Sequence, residues 1–293
     1  MIWAGWRQTR AAAITLGLLL ALLALYLVTT GIRLRTAFDT DHLSRCLLPA
    51  ARQSPDCGTS LANFYRLLDA SGRVLIGYLN LVPAFLGVFI GAPMLAREFE
   101  NGTHRLAWTQ TITRTRWVTT RLAVAAALAV SAEQALTWVV TFWRSPLDKL
   151  SGHFDPGAFS FEGIVPAGYA LFAFAIGALA GAVIRRTIPA MATTLGVFIV
   201  VRLSLENYAR PNFMTPKTIS YLDQPPINQP SGSAGDWILD TLVPKPGLGL
   251  PTIIIYQPAA RYWAFQLIEA GVCILTAAAL LTFTIYWVRR RVR

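Results

Sequence analysis

Charge is scarce in this chain. Only 14% of its 293 residues are Asp, Glu, Lys or Arg, against the quarter or so usual in soluble domains. Hydrophobic residues make up 54%, and mean hydropathy is +0.47. That balance excludes an ordinary soluble globular protein. Histidine is limited to His42, His104 and His153, far apart in sequence and not all on one side of the expected membrane, so no metal site is expected. The sequence has no Gly-rich phosphate loop ending in Lys-Ser or Lys-Thr, no His-Glu-x-x-His and no nucleophile elbow. It therefore carries no motif for nucleotide chemistry or self-contained catalysis, and neither a bound cofactor nor enzyme activity is expected of it. No internal repeat is visible, and lysine is nearly absent beside abundant Arg and Ala, a composition typical of GC-rich bacterial genomes.

What the chain has instead is long apolar runs. Windows of about 18 or more apolar residues, enough to cross a hydrocarbon core of about 30 Å, fall at 11–31, 76–96, 121–143, 163–184, 188–205 and 262–288. The fold class expected is an all-α polytopic membrane protein with six transmembrane helices, residues 1–293 forming one transmembrane domain. The first run is longer than the apolar core of a secretory signal and no small-x-small site follows it, so a retained helix is expected there.

Arginine sets the orientation, because segments beside spans retain Lys and Arg on the cytoplasmic side. With both termini cytoplasmic, residues 1–10, 97–121, 185–187 and 289–293 hold thirteen Arg against Glu98 and Glu100, a net of +11 equal to the whole formal excess. A pI near 10.1 then reflects topology and contact with anionic membrane lipid, and no nucleic-acid partner is expected. The external side carries long segments between the first and second spans and between the fifth and sixth.

Cys46 and Cys57 share the first external segment, where an oxidising compartment permits a disulfide, and Cys273 lies in the last span; the alternative is three unpaired thiols. Leu61, Phe64, Tyr65 and Leu68 recur at i, i+3, i+4 and i+7 in the same segment and predict an amphipathic helix. Eight prolines between 211 and 251 predict a mostly irregular second segment. Small residues four apart, Gly87 with Gly91 and Ala173 with Gly177 and Gly181, predict close helix packing within the chain. Three ionisable residues lie inside the spans, where an unpaired charge is costly. Counted at about 1.5 Å per residue, Glu133, Arg202 and Glu269 sit at similar depth. Arg202 is expected to pair with Glu133 or Glu269, with Gln134 assisting.

The most informative polar segment joins the second and third spans. Arg97-Glu98-Phe99-Glu100-Asn101-Gly102-Thr103 is followed by a carboxylate-free run with Arg105, Arg114, Arg116 and Arg121, interleaved with Leu106, Trp108 and Ile112. Gly102 supplies a turn, and the mixed texture predicts a short interfacial helix within 97–120.

On these residues the chain resembles the permease subunits of type-2 ATP-binding-cassette exporters, in which Glu-x-x-x-Gly-Thr leads from the second of six helices into a cytoplasmic coupling helix. Glu98, Gly102 and Thr103 match that pattern, Glu100 adds a second carboxylate, and the stretch from Leu95 to Gln110 resembles an actinobacterial subgroup. Two departures stand out: Thr111-Ile112 occupies a place where the family often has proline, and Arg121 replaces a frequent lysine. The resemblance implies a permease in a bacterial cytoplasmic membrane, exporting a substrate by alternating access. It would be driven by a separate ABC ATPase that binds ATP and Mg and paired with a second permease copy, identical or homologous. Glu98 and Glu100 would position the coupling helix or pair with the ATPase, and Arg105, Trp108 and Arg114 would complete the contact. Two alternatives remain at this level: a membrane-embedded enzyme acting on lipid or peptide through Glu133, Arg202 and Glu269, and a non-transporting scaffold or sensor.

Overall fold

In the computed structural model, the structure describes residues 2–47, 54–72, 77–102, 113–221, 235–243 and 251–291. Seven long helices organise them, beside a single turn at Pro156–Phe159: α1 (Ile2–Thr40), α2 (Pro55–Ala70), α3 (77–100), α4 (Arg114–Ser151), α5 (Val165–Ile184), α6 (187–212) and α7 (Tyr262–Arg291). Among the described residues, six of these, all but α2, are long and apolar enough to cross a membrane. Several overrun their expected limits. The first span extends to Thr40, the third helix begins at Arg114 rather than near Arg121, and the fifth continues through Asn212 rather than ending at 205.

The chain divides into two compact units. One comprises residues 1–77 and 135–150. Here α1 lies against the latter part of α4, where Trp143 Nε1 donates to Thr30 Oγ1 at 3.0 Å and Arg35 donates to the Phe142 carbonyl at 3.3 Å. The Arg35 guanidinium also sits 3.8 Å over the Phe142 ring, a cation–π contact. α2 is the amphipathic helix that the apolar spacing predicts, with Ser54 at its N-cap and Pro55 at its first position. Phe64 and Leu68 are buried while Tyr65 is exposed, and Phe64 meets Phe38 of α1 edge to face at 6.1 Å. A disulfide joins Cys46 to Cys57, with Cα atoms 5.7 Å apart, and fastens the start of α2 to the turn after α1.

The other unit comprises residues 78–134 and 151–293. Its axis is α5, apolar on every side and 72% buried across its span, as expected of a helix surrounded by others. The small residues make α3 fit against it. A Cβ on Gly87 would lie 2.5 Å from the Ala173 carbonyl oxygen, and one on Gly91 2.7 Å from that of Phe174. Gly177 and Gly181 present the same bare backbone in return, facing the carbonyls of Gly87 and Ala92. Gly168 does likewise on the α7 side, where a Cβ would come within 3.3 Å of the Ala270 Cα.

Two helices carry a π turn, and in each it stands two residues before a proline: Gly87–Gly91 before Pro93 in α3, and Leu205–Ala209 before Pro211 in α6. Proline lacks an N–H and crowds the carbonyl four residues back, and a turn closed by i→i+5 bonds makes room for that defect. Accordingly, the N–H of Ala92 bonds to Gly87 O and that of Arg210 to Leu205 O.

The described part of the segment between α6 and α7 contains three short strands. Strands β1 (Lys217–Tyr221), β2 (Trp237–Leu242) and β3 (Thr252–Gln257) form an antiparallel sheet in the order β1-β3-β2. The apolar run Ile253-Ile254-Ile255-Tyr256 is its central strand, with Ile254 fully buried. Trp237 packs on Phe154 and Phe265 with ring centroids 5.6 and 6.2 Å apart, which seats the sheet over the end of α7. In sequence the prolines fall outside the strands, as expected of a residue that cannot donate to a ladder.

The glycine contacts predict an asymmetric response to small additions. Gly177→Val should lower stability by about 3 kcal/mol, since the new methyls meet backbone and not yielding side chains. Gly196→Ala, where nothing lies within 4 Å, should be neutral or stabilise by about 0.5–1 kcal/mol. Thermal unfolding of the detergent-solubilised chain checks both, and equal midpoints for the two variants would refute this account of α3–α5 packing.

Candidate functional site

Both carboxylates that follow the second span are engaged within the chain. Glu98, on the last turns of α3, is buried and its Oε1 accepts from Arg121 Nη1 at 2.5 Å. The same guanidinium lies 5.1 Å over the Trp117 ring, so Arg121 is oriented from two sides. The pair crosses from the end of α3 to the beginning of α4 and clamps together the two helices that flank residues 103–112.

Glu100 reaches a different helix. Its Oε2 accepts from the backbone N–H of Thr187 at 3.0 Å and from Thr187 Oγ1 at 2.7 Å. Thr187 opens α6, whose first N–H groups have no partner inside the helix, and a carboxylate there also opposes the positive end of the helix dipole. The reversal from α5 into α6 is tight: Arg185 ends α5 in the left-handed conformation (φ 58°), Arg186 is extended, and Thr187 is already helical. After Glu100 the chain turns through Asn101 and Gly102, whose φ of 69° needs glycine's freedom.

These bonds gather one end of the unit. Arg97, Arg116, Arg185, Arg186, Arg289, Arg290 and Arg291 are exposed there, and Arg185 donates to the Arg291 carbonyl at 3.3 Å. Of the expected coupling residues, Thr103, Arg105 and Trp108 lie outside the described residues, and Arg114 opens α4.

A second polar cluster lies at the other end of α6. Arg210 is 1% exposed and Glu269 on α7 is fully buried. They pair bidentately, Nε with Oε2 and Nη2 with Oε1, both at 2.8 Å. Tyr169 of α5 donates its hydroxyl to Glu269 Oε1 and accepts from Arg210 Nη2 at 3.0 Å, while Ser160 Oγ accepts from the same nitrogen at 3.2 Å. The Phe159 ring covers the guanidinium at 4.5 Å. Through these contacts, with three acceptors sharing the two hydrogens of Nη2, the cluster acts as a clamp joining α5, α6 and α7.

Of the two partners expected for Arg202, Glu133 and Glu269, the second belongs instead to Arg210. Ending the fifth span at 205 places Arg210 outside the membrane, whereas the π turn carries the helix on and brings that side chain inward. Eight residues exceed two α-helical turns by about 0.8 residue, and the residue added by the π turn absorbs that surplus. Arg202, Glu206 and Arg210 consequently share a face, with Glu206 3.9 Å from Arg210 and 4.0 Å from Arg202. Arg202 donates to Asn80 Oδ1 of α3 at 2.5 Å and stacks 4.3 Å over the Tyr169 ring. Glu133 on α4 is buried within the field of Arg202, while Gln134 beside it is half-buried.

Sequence reasoning missed Asn80, Tyr169, Thr187, Arg210 and Gln266. The last is fully buried on α7. Its Oε1 accepts from the N–H groups of Ile164 and Val165 at 3.0 Å, and its Nε2 donates to the carbonyls of Phe159 and Glu162. It caps α5 from a neighbouring helix. A polar residue near the start of a long apolar span was its available signal.

A model of the ABC-2 membrane transporter related family matches residues 17–210, more than half of the chain. The chain belongs to that family. No curated protein and no solved structure matches it. The stretch shared with the ABC-2 family runs from the first span through Arg210, so it contains the Glu98 and Glu100 contacts and one partner of the buried clamp. Family and spans together make this a multi-pass membrane protein with a permease-like role. ABC-2 membrane components generally work with a separate ATPase subunit and are not themselves enzymes.

Removing one partner of the clamp leaves a buried charge. Arg210→Met alone should cost about 3–5 kcal/mol, and adding Glu269→Leu should recover most of that loss. Thermal unfolding in detergent measures both; an unchanged midpoint for the single variant would show that the cluster is no clamp.

Proposed function

We propose that this chain is the permease subunit of an ATP-driven exporter in a bacterial cytoplasmic membrane, with residues 1–293 working as one permease domain. A separate ABC ATPase binds ATP and Mg, and a second permease copy, identical or homologous, completes the path. The observation that carries this reading is the joining of α3 and α4 by Glu98 and Arg121 on either side of residues 103–112. A push on that segment reaches two membrane-crossing helices together.

The exposed arginines at this end favour the cytoplasmic side, where an ATPase docks. The disulfide in the first expected external segment agrees, since such bonds persist in oxidising compartments. Glu98 and Glu100 position the segment, while Thr103, Arg105, Trp108 and Arg114 supply its contact with the ATPase. On ATP binding, the two ATPase copies close, α3 and α4 tilt, and the path between the permease halves opens outward. The embedded-enzyme alternative needs a reactive carboxylate at Glu269, yet both of its oxygens are occupied by Arg210 and Tyr169.

The test is an affinity pull-down of the detergent-solubilised chain from its native membrane. An ATPase should co-elute with the wild type, and a Glu98→Lys, Glu100→Lys variant should insert normally while its ATPase activity falls about fivefold or more, the scale of ordinary coupling between sites. A clean preparation without ATPase would overturn the permease reading.

A further inference from the structure

Three helix ends of the larger unit bring their arginines into one row. Arg185 and Arg186 make the reversal from α5 into α6, and Arg289, Arg290 and Arg291 close α7; all of them are exposed. Arg185 donates to the Arg291 carbonyl at 3.3 Å, which sets the reversal against the end of α7. On the α3 side the charges of Arg186 and Arg97 lie near Glu100. That carboxylate is spent on the N–H and hydroxyl of Thr187, and Glu98 is buried against Arg121. The row therefore keeps a large positive excess.

Its guanidinium groups are held close to the span. On α7 that of Arg290 lies 5.1 Å over the Tyr286 ring and that of Arg291 5.7 Å over the Trp287 ring, each folded back by one turn. Long cationic side chains lie this way when their stems cover apolar surface and their charge stays at the headgroup level, the level that Tyr and Trp also prefer. Exposed apolar side chains border the row on its span side: Val183 on α5, Ile188 on α6, and Phe283 and Tyr286 on α7. A free anion would use only the charged half of this surface. A soluble protein would leave the apolar half unused.

We propose that this row binds the phosphate of an anionic phospholipid, with Arg185 and Arg291 at its centre and Val183, Ile188 and Phe283 along the acyl chains. Contact with anionic lipid is common to arginine-rich membrane faces; here the contacts between helix ends single out one place for it. A guanidinium fork bonds two phosphate oxygens at once, so the headgroup ties α5, α6 and α7 together at the end opposite the Arg210–Glu269 clamp. Phosphatidylcholine carries a cation beside its phosphate and suits the row less well.

The test is native mass spectrometry of the detergent-solubilised chain, which counts bound lipids as phosphatidylglycerol, or phosphatidylcholine with the same acyl chains, is titrated in. The wild type should take up its first phosphatidylglycerol at least about fivefold more tightly than phosphatidylcholine. The double variant Arg185→Gln, Arg291→Gln should weaken that binding about 25-fold, about fivefold for each arginine. Arg290→Gln, whose ring contact is within its own helix, should weaken it about fivefold and serves where the double variant fails to fold. Arg45→Gln, Arg66→Gln removes equal charge from exposed positions of the other unit and should leave the binding unchanged. Equal affinity for the two lipids, or equal losses in the two double variants, would overturn the site. Displacement of the lipid by an equal concentration of glycerol phosphate would leave an anion site and overturn the phospholipid. If Arg185→Gln, Arg291→Gln kept its first phosphatidylglycerol but lost a co-eluting ATPase, the row would be a protein contact: the lipid proposal would fall and the permease reading would stand.

Discussion

The close approach of α3 to α5 fixes the larger unit. In a membrane, helices gain little from hiding apolar surface from each other, since lipid is equally apolar; contact comes from packing and from polar groups. Gly87, Gly91, Gly177 and Gly181 let two backbones meet where any side chain would hold them apart. Once α3 lies in that groove, its last turns arrive beside the beginnings of α4 and α6. The Glu98–Arg121 and Glu100–Thr187 contacts are thus consequences of packing deeper in the bundle. The π turn at Gly87–Gly91 belongs to the same arrangement, because it accommodates Pro93 in the stretch of α3 that faces the α5 glycines.

Polar chemistry then works differently at the two ends. Near Arg210 and Glu269, charge is buried, bidentate and saturated by Tyr169 and Ser160, which suits a fixed anchor. Near Glu100 and Thr187, the contact is exposed, and surface interactions of that kind contribute little to stability. The strong clamp and the weak one stand at opposite ends of the same helix, and the π turn lies immediately beside the strong one.

Much of this architecture is legible in the amino acids. Six apolar runs, the amphipathic spacing of Leu61, Phe64, Tyr65 and Leu68, and the small residues of the second and fourth spans each express a period or a volume that the local sequence carries by itself. The position of Gly102 after Glu98 and Glu100 was equally readable, because a left-handed residue after a helix is a local demand. What escaped was long-range or dependent on register. Arg210 was placed outside the fifth span because a hydropathy window ends where charge begins; the added residue of a π turn, which brings that charge back to the bundle, leaves no trace in hydropathy. Thr187 was unremarkable in sequence, and only the fold places it beside Glu100. The sheet between α6 and α7 was obscured by prolines that in fact separate its strands.

Correcting the partner of Glu269 also changes the balance among functions. An embedded enzyme needs a group held ready to react, with a lone pair or proton available to a substrate. Glu269 instead has one oxygen facing Arg210 Nε and the other shared by Arg210 Nη2 and the Tyr169 hydroxyl. Arg202 is likewise engaged by Asn80 and the Tyr169 ring, with Glu206 near its Nε. Side chains so committed define distances between helices. The buried network therefore suits a structural frame better than a reaction centre: it fixes α5, α7 and the far end of α6 in one arrangement.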